Sequence, residues 1–279
     1  MNFNLNYKNS SEDLFGQSWI SERSEAILVI VHGLGEHIGR YKPFAEFFNT
    51  KNITVLGADL TGFGQSPGKK GHGVDIAEMK SIVKAKITYA AAQFPDIPIY
   101  VFGQSMGANI ALNYQLTESD QRVAGYIAAS PWIQTGSPLS PLLIKAAKVL
   151  SKIAPKVTKS NELIVEGISD LESEVKLYVD DPLVHDRISF GFGYSMYLAA
   201  EFLNNYSEGG VKVNTLLSHS KDDILTSAAA SSAFAKRNPD KLEFIEKEHL
   251  HHELHNSSQR SKILEEYYSW IYKMMQNEN

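Results

Sequence analysis

Short apolar runs rich in β-branched residues alternate through most of this chain with longer stretches at helical spacing. Ala26–Val31 (AILVIV), Ile53–Ala58, Ile97–Phe102, Val123–Ala129, Val211–Leu217 and Leu242–Ile245 read as strands. Several are apolar nearly throughout, which suits parallel strands covered by helices on both faces. Between them Tyr41–Asn49, Ile76–Gln93, Gly107–Leu116 and Ser227–Lys236 carry the helical pattern. This alternation restricts the chain to an α/β fold with a mostly parallel sheet and right-handed crossovers. At 279 residues there is room for one large domain, or for one domain carrying an insertion. The chain shows no internal repeat and no low-complexity segment.

The alternation stops between Ser130 and about Tyr206. That stretch holds Pro131, Pro138, Pro141, Pro155 and Pro182 and reads as several short helices without a strand. In one of them, Leu142–Ile153, aliphatic residues occupy one side and Lys145, Lys148 and Lys152 the other. A helical insertion after a late strand lies over the carboxyl ends of the sheet, where α/β folds bind ligands. Residues 130–206 are therefore expected to form a helical cap, with 1–129 and 207–279 as the core. A helical subdomain packed only for stability is the alternative.

A Gly-Gln-Ser-Met-Gly pentapeptide, Gly103–Gly107, joins the Ile97–Phe102 run to a helical pattern. A serine on such a strand-to-helix turn is pushed out above the end of a sheet. A Cβ at Gly103 or Gly107 would collide with the neighbouring strand or the following helix. Ser105 is thus a candidate nucleophile, and it needs a base and a group that orients the base. In this arrangement the chain order is Ser, then Asp or Glu, then His. The Val211–Leu217 strand runs into Ser-His-Ser-Lys-Asp-Asp, which offers Asp222 and Asp223. The last strand runs into a segment that offers His249, His251, His252 and His255. Spacing alone leaves the choice among these open.

An oxyanion on the attacked acyl group needs two backbone donors. Met106 follows the nucleophile and supplies one. The loop His32-Gly33-Leu34-Gly35-Glu36-His37 supplies the other, with the Leu34 N–H in position and two glycines that let the backbone approach a substrate. His32 is expected to hold the loop by hydrogen bonds, and Asp222 to be a solvated neighbour of the acid. His251 and His255 are four apart, yet Asn256 stands where a zinc-binding H-E-x-x-H would need its second histidine, so no metal site is expected.

Composition narrows the remaining classes. Net charge is −5 and no basic tract is present, so no nucleic-acid partner is expected. The chain has no cysteine, hence no disulfide framework, thiol nucleophile or cysteine-bound metal. Met1–Ser11 is polar and lacks the pattern of a signal peptide, and no run approaches the roughly 18 apolar residues of a membrane span. A cytoplasmic location is the expectation.

Four stretches together resemble one family: HGLGEHIGRY at 32–41, ADLTGFGQSPG at 58–68, GQSMGA at 103–108 and HHELHN at 251–256. They are similar to the monoacylglycerol lipase group of α/β-hydrolases, often labelled lysophospholipases in bacteria. The resemblance runs from about Leu14 to the C-terminal helix. It implies a mostly parallel eight-stranded sheet with helices on both faces and a mobile helical cap with an apolar rim. Position by position, it implies Ser105 as nucleophile, Asp223 rather than Asp222 as acid, and His252 as base. Leu34 and Met106 match the oxyanion donors. Gln104 and Ala108 stand where the family usually has His and Gly, and Phe63 and Ser220 where His and Gly are common.

The resemblance implies a serine ester hydrolase acting on a small-molecule lipid ester, monoacylglycerol first, without a cofactor. Lysophospholipase and general short-acyl or aryl esterase activities are the rivals within the class. A non-catalytic ligand-binding relative would have lost a triad member, whereas all three positions are filled. Dehalogenase chemistry would need an aspartate at position 105. The lysines beside the apolar side of Leu142–Ile153 suggest transient contact with an anionic membrane surface. The alternative is that this side packs onto the enzyme.

Overall fold

The computed structural model describes residues 1–7, 12–73, 75–118, 120–207 and 209–277. Residues 8–11 of the polar N-terminal stretch therefore lie outside the described residues. Among the described residues, ten strands precede and alternate with helices in chain order: β1 (Asn2–Leu5), β2 (Leu14–Trp19), β3 (Ala26–Val31), α1 (Lys42–Asn49), β4 (Ile53–Ala58), α2 (Ile76–Gln93), β5 (Ile99–Gln104), α3 (Met106–Glu118) and β6 (Val123–Ala129). Then come α4 (Pro141–Ile153), β7 (Thr158–Ser160), α5 (Glu172–Asp180), β8 (Arg187–Ser189), α6 (Phe190–Asn204), β9 (Thr215–Ser220), α7 (Ala228–Lys236), β10 (Leu242–Lys247) and α8 (Arg260–Asn277).

Eight strands form the main sheet in the order β1-β2-β4-β3-β5-β6-β9-β10. The six strands from β4 to β10 along this order pair in parallel, and β1 and β2 add an antiparallel edge. Every residue of β3, β4 and β5 is buried. That is why their sequences are continuous apolar runs and not alternating ones.

Helices cover both faces. Phe44 and Phe48 of α1 pack with Ile263, Tyr267 and Trp270 of α8 on one side. Ile82 and Ile87 of α2, Ile110 and Tyr114 of α3 and Phe192 and Met196 of α6 fill the other. On that same side α7 adds Phe234, packed with Leu112 of α3 and Leu217 of β9.

The stretch between β6 and β9 is not all-helical, which corrects the sequence reading. β7 and β8 pair antiparallel, Thr158 against Ser189 and Ser160 against Arg187. Three-residue strands of sequence TKS and RIS carry no hydrophobic period, so only the pairing itself reveals them. The Ser189 N–H is further held by the Gly71 carbonyl at 2.8 Å. Contacts from this stretch reach the loops after three further strands. His185 N–H donates to Gly35 O at 3.0 Å, Gly136 N–H to Leu225 O at 2.9 Å, and Glu253 N–H to Ile168 O at 2.7 Å. The inserted residues thus cover the carboxyl ends of the sheet.

Candidate active site

Ser105 is the single residue between the end of β5 and the start of α3. Its φ of 54° lies in the left-handed region, where a non-glycine residue is strained unless its surroundings hold it there. They do so through the backbone: Ser105 N–H donates to Ala129 O at 2.9 Å, and its carbonyl accepts from Asn109 and Trp132 at 3.0 and 3.1 Å. The glycines permit the close approach. A Cβ on Gly107 would sit 1.9 Å from the Val31 carbonyl oxygen, and one on Gly103 would sit 2.6 Å from the Ala108 Cα.

After β9 the chain turns at Asp223, whose side chain is fully buried. Its Oδ1 accepts from the N–H groups of Leu225 and Thr226, at 2.8 and 3.1 Å. Its Oδ2 accepts from His252 Nδ1 at 2.6 Å, His219 Nε2 at 2.9 Å and Thr226 Oγ1 at 2.9 Å. Burial opposes the carboxylate charge, but the His252 charge and these hydrogen bonds outweigh it and hold the carboxyl well below the ordinary range. An ionised carboxylate only accepts, so the protons lie on His252 Nδ1 and His219 Nε2. His252 Nε2 is left as the basic nitrogen.

Burial also opposes the imidazolium of His252, yet Asp223 prevails and raises its pKa above the usual histidine value. The ring's backbone is pinned from three sides. Its carbonyl accepts from Gln104 Nε2 at 3.2 Å and Ser130 Oγ at 2.7 Å, and its N–H donates to Gly167 O at 3.1 Å. Gln104, which the sequence presented only as a departure from the family pattern, therefore ties the end of β5 to the His252 loop.

The other acid and histidines go elsewhere. Asp222 is at the surface and accepts from the His249 N–H, while His249 is exposed with φ 59°. His251 Nδ1 lies 3.0 Å from the Glu166 carbonyl. His255 is buried and stacked on Tyr41, centroids 5.2 Å apart, and burial lowers its pKa to about 4. His251 and His255 thus do not share a face, and among the described residues no group of three metal-ligating side chains forms.

The loop after β3 is built on buried charge. His32 Nε2 accepts from Leu60 N–H at 2.9 Å, which leaves Nδ1–H to donate to Gly33 O at 2.9 Å. Burial, with Lys86 second, keeps this ring neutral. Glu36 Oε1 accepts from Gly33 N–H at 2.6 Å and Tyr41 Oη at 2.8 Å. Arg40 Nη1 donates to Glu36 Oε2 at 2.7 Å, and Nη1 and Nη2 both donate to Glu253, at 2.7 and 2.8 Å. One guanidinium thus joins the loop that carries Leu34 to the residue after His252. Asp59, in the 58–68 stretch, accepts from Ile38 N–H at 2.7 Å and Gln65 N–H at 2.8 Å, so that motif braces the same loop from below.

Ser105, Leu34, Gln104 and His252 line one pocket of about 310 Å³, near the small end of ligand pockets. Met106 is fully buried beside Ser105 at the head of α3. The inserted residues supply most of the apolar wall, including Leu139, Leu163, Ile164, Ile168 and Ile188, and Ile224 completes it. A serine, a histidine with one free nitrogen and an apolar chamber fit nucleophilic acyl transfer on a lipophilic substrate.

The sequence profile of the family described as serine aminopeptidase, S33, matches residues 22–259. Among similar proteins, a monoacylglycerol lipase of Mycolicibacterium smegmatis is 29% identical over 88% of this chain and 87% of its own length. An abhydrolase-domain protein of Dictyostelium discoideum is 31% identical over 90% of this chain, which spans only 27% of that protein. The crystal structure of the Paleococcus ferrophilus monoacylglycerol lipase superposes with a TM-score of 0.86 at 28% identity, covering 94% of this chain and 99% of that one. The mostly parallel eight-stranded sheet flanked by helices is thus an α/β-hydrolase fold.

Proposed function

This chain belongs to the hydrolase family described as serine aminopeptidase, S33, and is a serine hydrolase; from that premise we propose that it cleaves single-chain acyl esters, monoacylglycerol first. The observation that carries the reading is the Asp223–His252 pair at 2.6 Å, with His252 and Ser105 on the wall of one largely apolar pocket. Ser105 Oγ attacks the ester carbonyl while His252 Nε2 takes its proton. The Leu34 and Met106 N–H groups receive the oxyanion. Collapse of that intermediate breaks the C–O bond, and His252 returns the proton to the leaving alcohol. A water deprotonated by His252 then attacks the acyl-enzyme, and the fatty acid leaves with Ser105 restored. Asp223 fixes the His252 tautomer and offsets its charge throughout.

Residues 130–206 act in this reading as a cap that selects the acyl chain. It also offers a membrane-facing surface, supported by α4. That helix has no buried residue, leaves Leu142 and Ile153 at 78% and 73% exposure, and carries Lys145 and Lys148 beside them.

The test is a substrate panel with Ser105→Ala as the blank. It comprises monoacylglycerol, lysophosphatidylcholine, short p-nitrophenyl esters and an amino-acid p-nitroanilide, which the family's description suggests. Fatty acid release from monoacylglycerol is expected to exceed the others in kcat/KM and to vanish in Ser105→Ala. Full activity in that variant, or no labelling of Ser105 by a fluorophosphonate, would remove the mechanism. Preference for lysophosphatidylcholine would transfer the assignment to lysophospholipase.

A further inference from the structure

The Asp223 carboxylate serves a second histidine that the reaction just described does not use. His219, on β9, is fully buried. Its Nε2 lies 2.9 Å from Asp223 Oδ2, the same oxygen that accepts from His252 Nδ1 at 2.6 Å. Its Nδ1 lies 2.8 Å from Ser231 Oγ on α7. With Nε2–H committed to the carboxylate, Nδ1 is the acceptor and Ser231 donates its hydroxyl proton. Ser231 thus holds the His219 ring with Nε2 toward Asp223. Thr226 Oγ1 stands between the rings, 3.3 Å from His219 Nε2 and 3.3 Å from His252 Nδ1, and donates to the shared oxygen at 2.9 Å.

We propose that His219 is a positioning residue for the hydrolysis: its Nε2–H shares Asp223 Oδ2 with His252 and so sets how much of that carboxylate's charge the His252 ring receives. The inference rests on Asp223 and His252 acting as acid and base.

Two consequences follow from the chemistry. A carboxylate oxygen held by three donors cannot rotate away from His252. It is also a weaker acceptor toward each donor than an oxygen held by one. Removing the His219 proton donor concentrates charge on the His252 hydrogen bond and makes His252 more basic. The other charged groups near that ring, Glu253 beside it and Glu36 and Arg40 from the segment after β3, are untouched by the change. His255 on the same loop is buried against Tyr41 and also unaffected.

His252 must be neutral to take the Ser105 proton, so kcat/KM falls as pH drops through its pKa. In His219→Leu the acid limb is expected to move to higher pH by roughly 0.5 to 1 unit, the scale of one charge-assisted hydrogen bond partly transmitted. His219→Gln, whose amide nitrogen reaches the place of Nε2, is expected to keep the wild-type limb. His219 does not line the pocket, so KM should stay while kcat falls in the Leu variant.

Should His219→Leu fail to fold, Ser231→Ala carries the same test, with a smaller shift in the same direction expected as that hold on the ring is lost. A wild-type acid limb in the folded variant lacking the donor, or an equal displacement in His219→Gln, overturns the proposal. Both results leave the Ser105, Asp223 and His252 reading standing, because that reading fails only if Ser105→Ala stays active.

Discussion

Lys86 shows how far one residue can depart from the chemistry its type suggests. It lies on α2 with no exposed surface, and its Nζ donates to the Ile30 carbonyl at 3.2 Å. Burial lowers its pKa to about 7, against a small opposing pull from Asp59. In the unfolded chain the same amine titrates near 10.4. Between these values the unfolded chain holds a proton that the folded protein has lost, so stability from this group rises with pH from about 7 to 10. Below pH 7 the lysine is charged in both states and the burial penalty is fully present. Lys86→Met is therefore expected to stabilise by about 2–4 kcal/mol at pH 6, with the gain fading toward pH 10. Urea unfolding at pH 6, 8 and 10 measures it, and a variant weaker than wild type at pH 6 would contradict the sign. The Gly103–Gly107 turn is the opposite case, legible from sequence because it depends on absent atoms. No side chain fits at Gly107 when a Cβ would lie 1.9 Å from Val31 O, so glycine there is a direct imprint of the geometry.

At the level of elements, the site is assembled from strand ends joined by a few buried polar links. The Glu36–Arg40–Glu253 chain is the heaviest of these, connecting the turn after β3 to the turn after β10. Arg40→Met leaves two carboxylates buried without their cation, which costs about 3–5 kcal/mol, or roughly 10 °C of Tm in a chain this size. Both loops should also lose registry, so kcat should fall along with Tm. Calorimetry and kinetics on the same preparation check this, and a full Tm loss with unchanged kcat would show the two loops are positioned independently.

The elements that sequence reading found are those with an apolar period, and the ones it missed lack one. β9 begins at Thr215 and runs on through Ser218, His219 and Ser220, all buried. The apolar run placed it at 211–217, because nothing local distinguishes a polar strand end from a loop. Those polar residues are buried because the Asp223 cluster and the Ser220–Leu250 and Ser218–Tyr267 hydrogen bonds satisfy them. The edge pair β1 and β2 and the three-residue β7 and β8 escaped for the same lack of an apolar period. Gln104 and Ser130 escaped because their partner, the His252 carbonyl, is a backbone atom far along the chain.

For the whole molecule, strand order decides where the site opens. β3 lies between β4 and β5, so the chain leaving β3 crosses to one side while the chain leaving β5 turns to the other. Their loops diverge at this switch point and leave a crevice over the carboxyl ends, which the inserted residues roof. The roof bears on the membrane proposal, since a net charge of −5 repels an anionic surface unless the lysines of α4 lead the approach. Wild-type protein is expected to co-sediment with anionic vesicles in low salt, and Lys145→Glu plus Lys148→Glu to abolish it; binding unchanged by that pair would refute docking through α4. The sequence by itself determined the α/β class and the tight Gly103–Gly107 turn, because apolar period and the steric need for glycine are local properties. Only the tertiary structure decided that Asp223 serves two histidines, that Arg40 bridges two loops, and that the inserted residues wall a pocket of about 310 Å³. Those depend on which distant side chains meet in a water-poor interior, where each buried donor and charge must find a partner that no local pattern names.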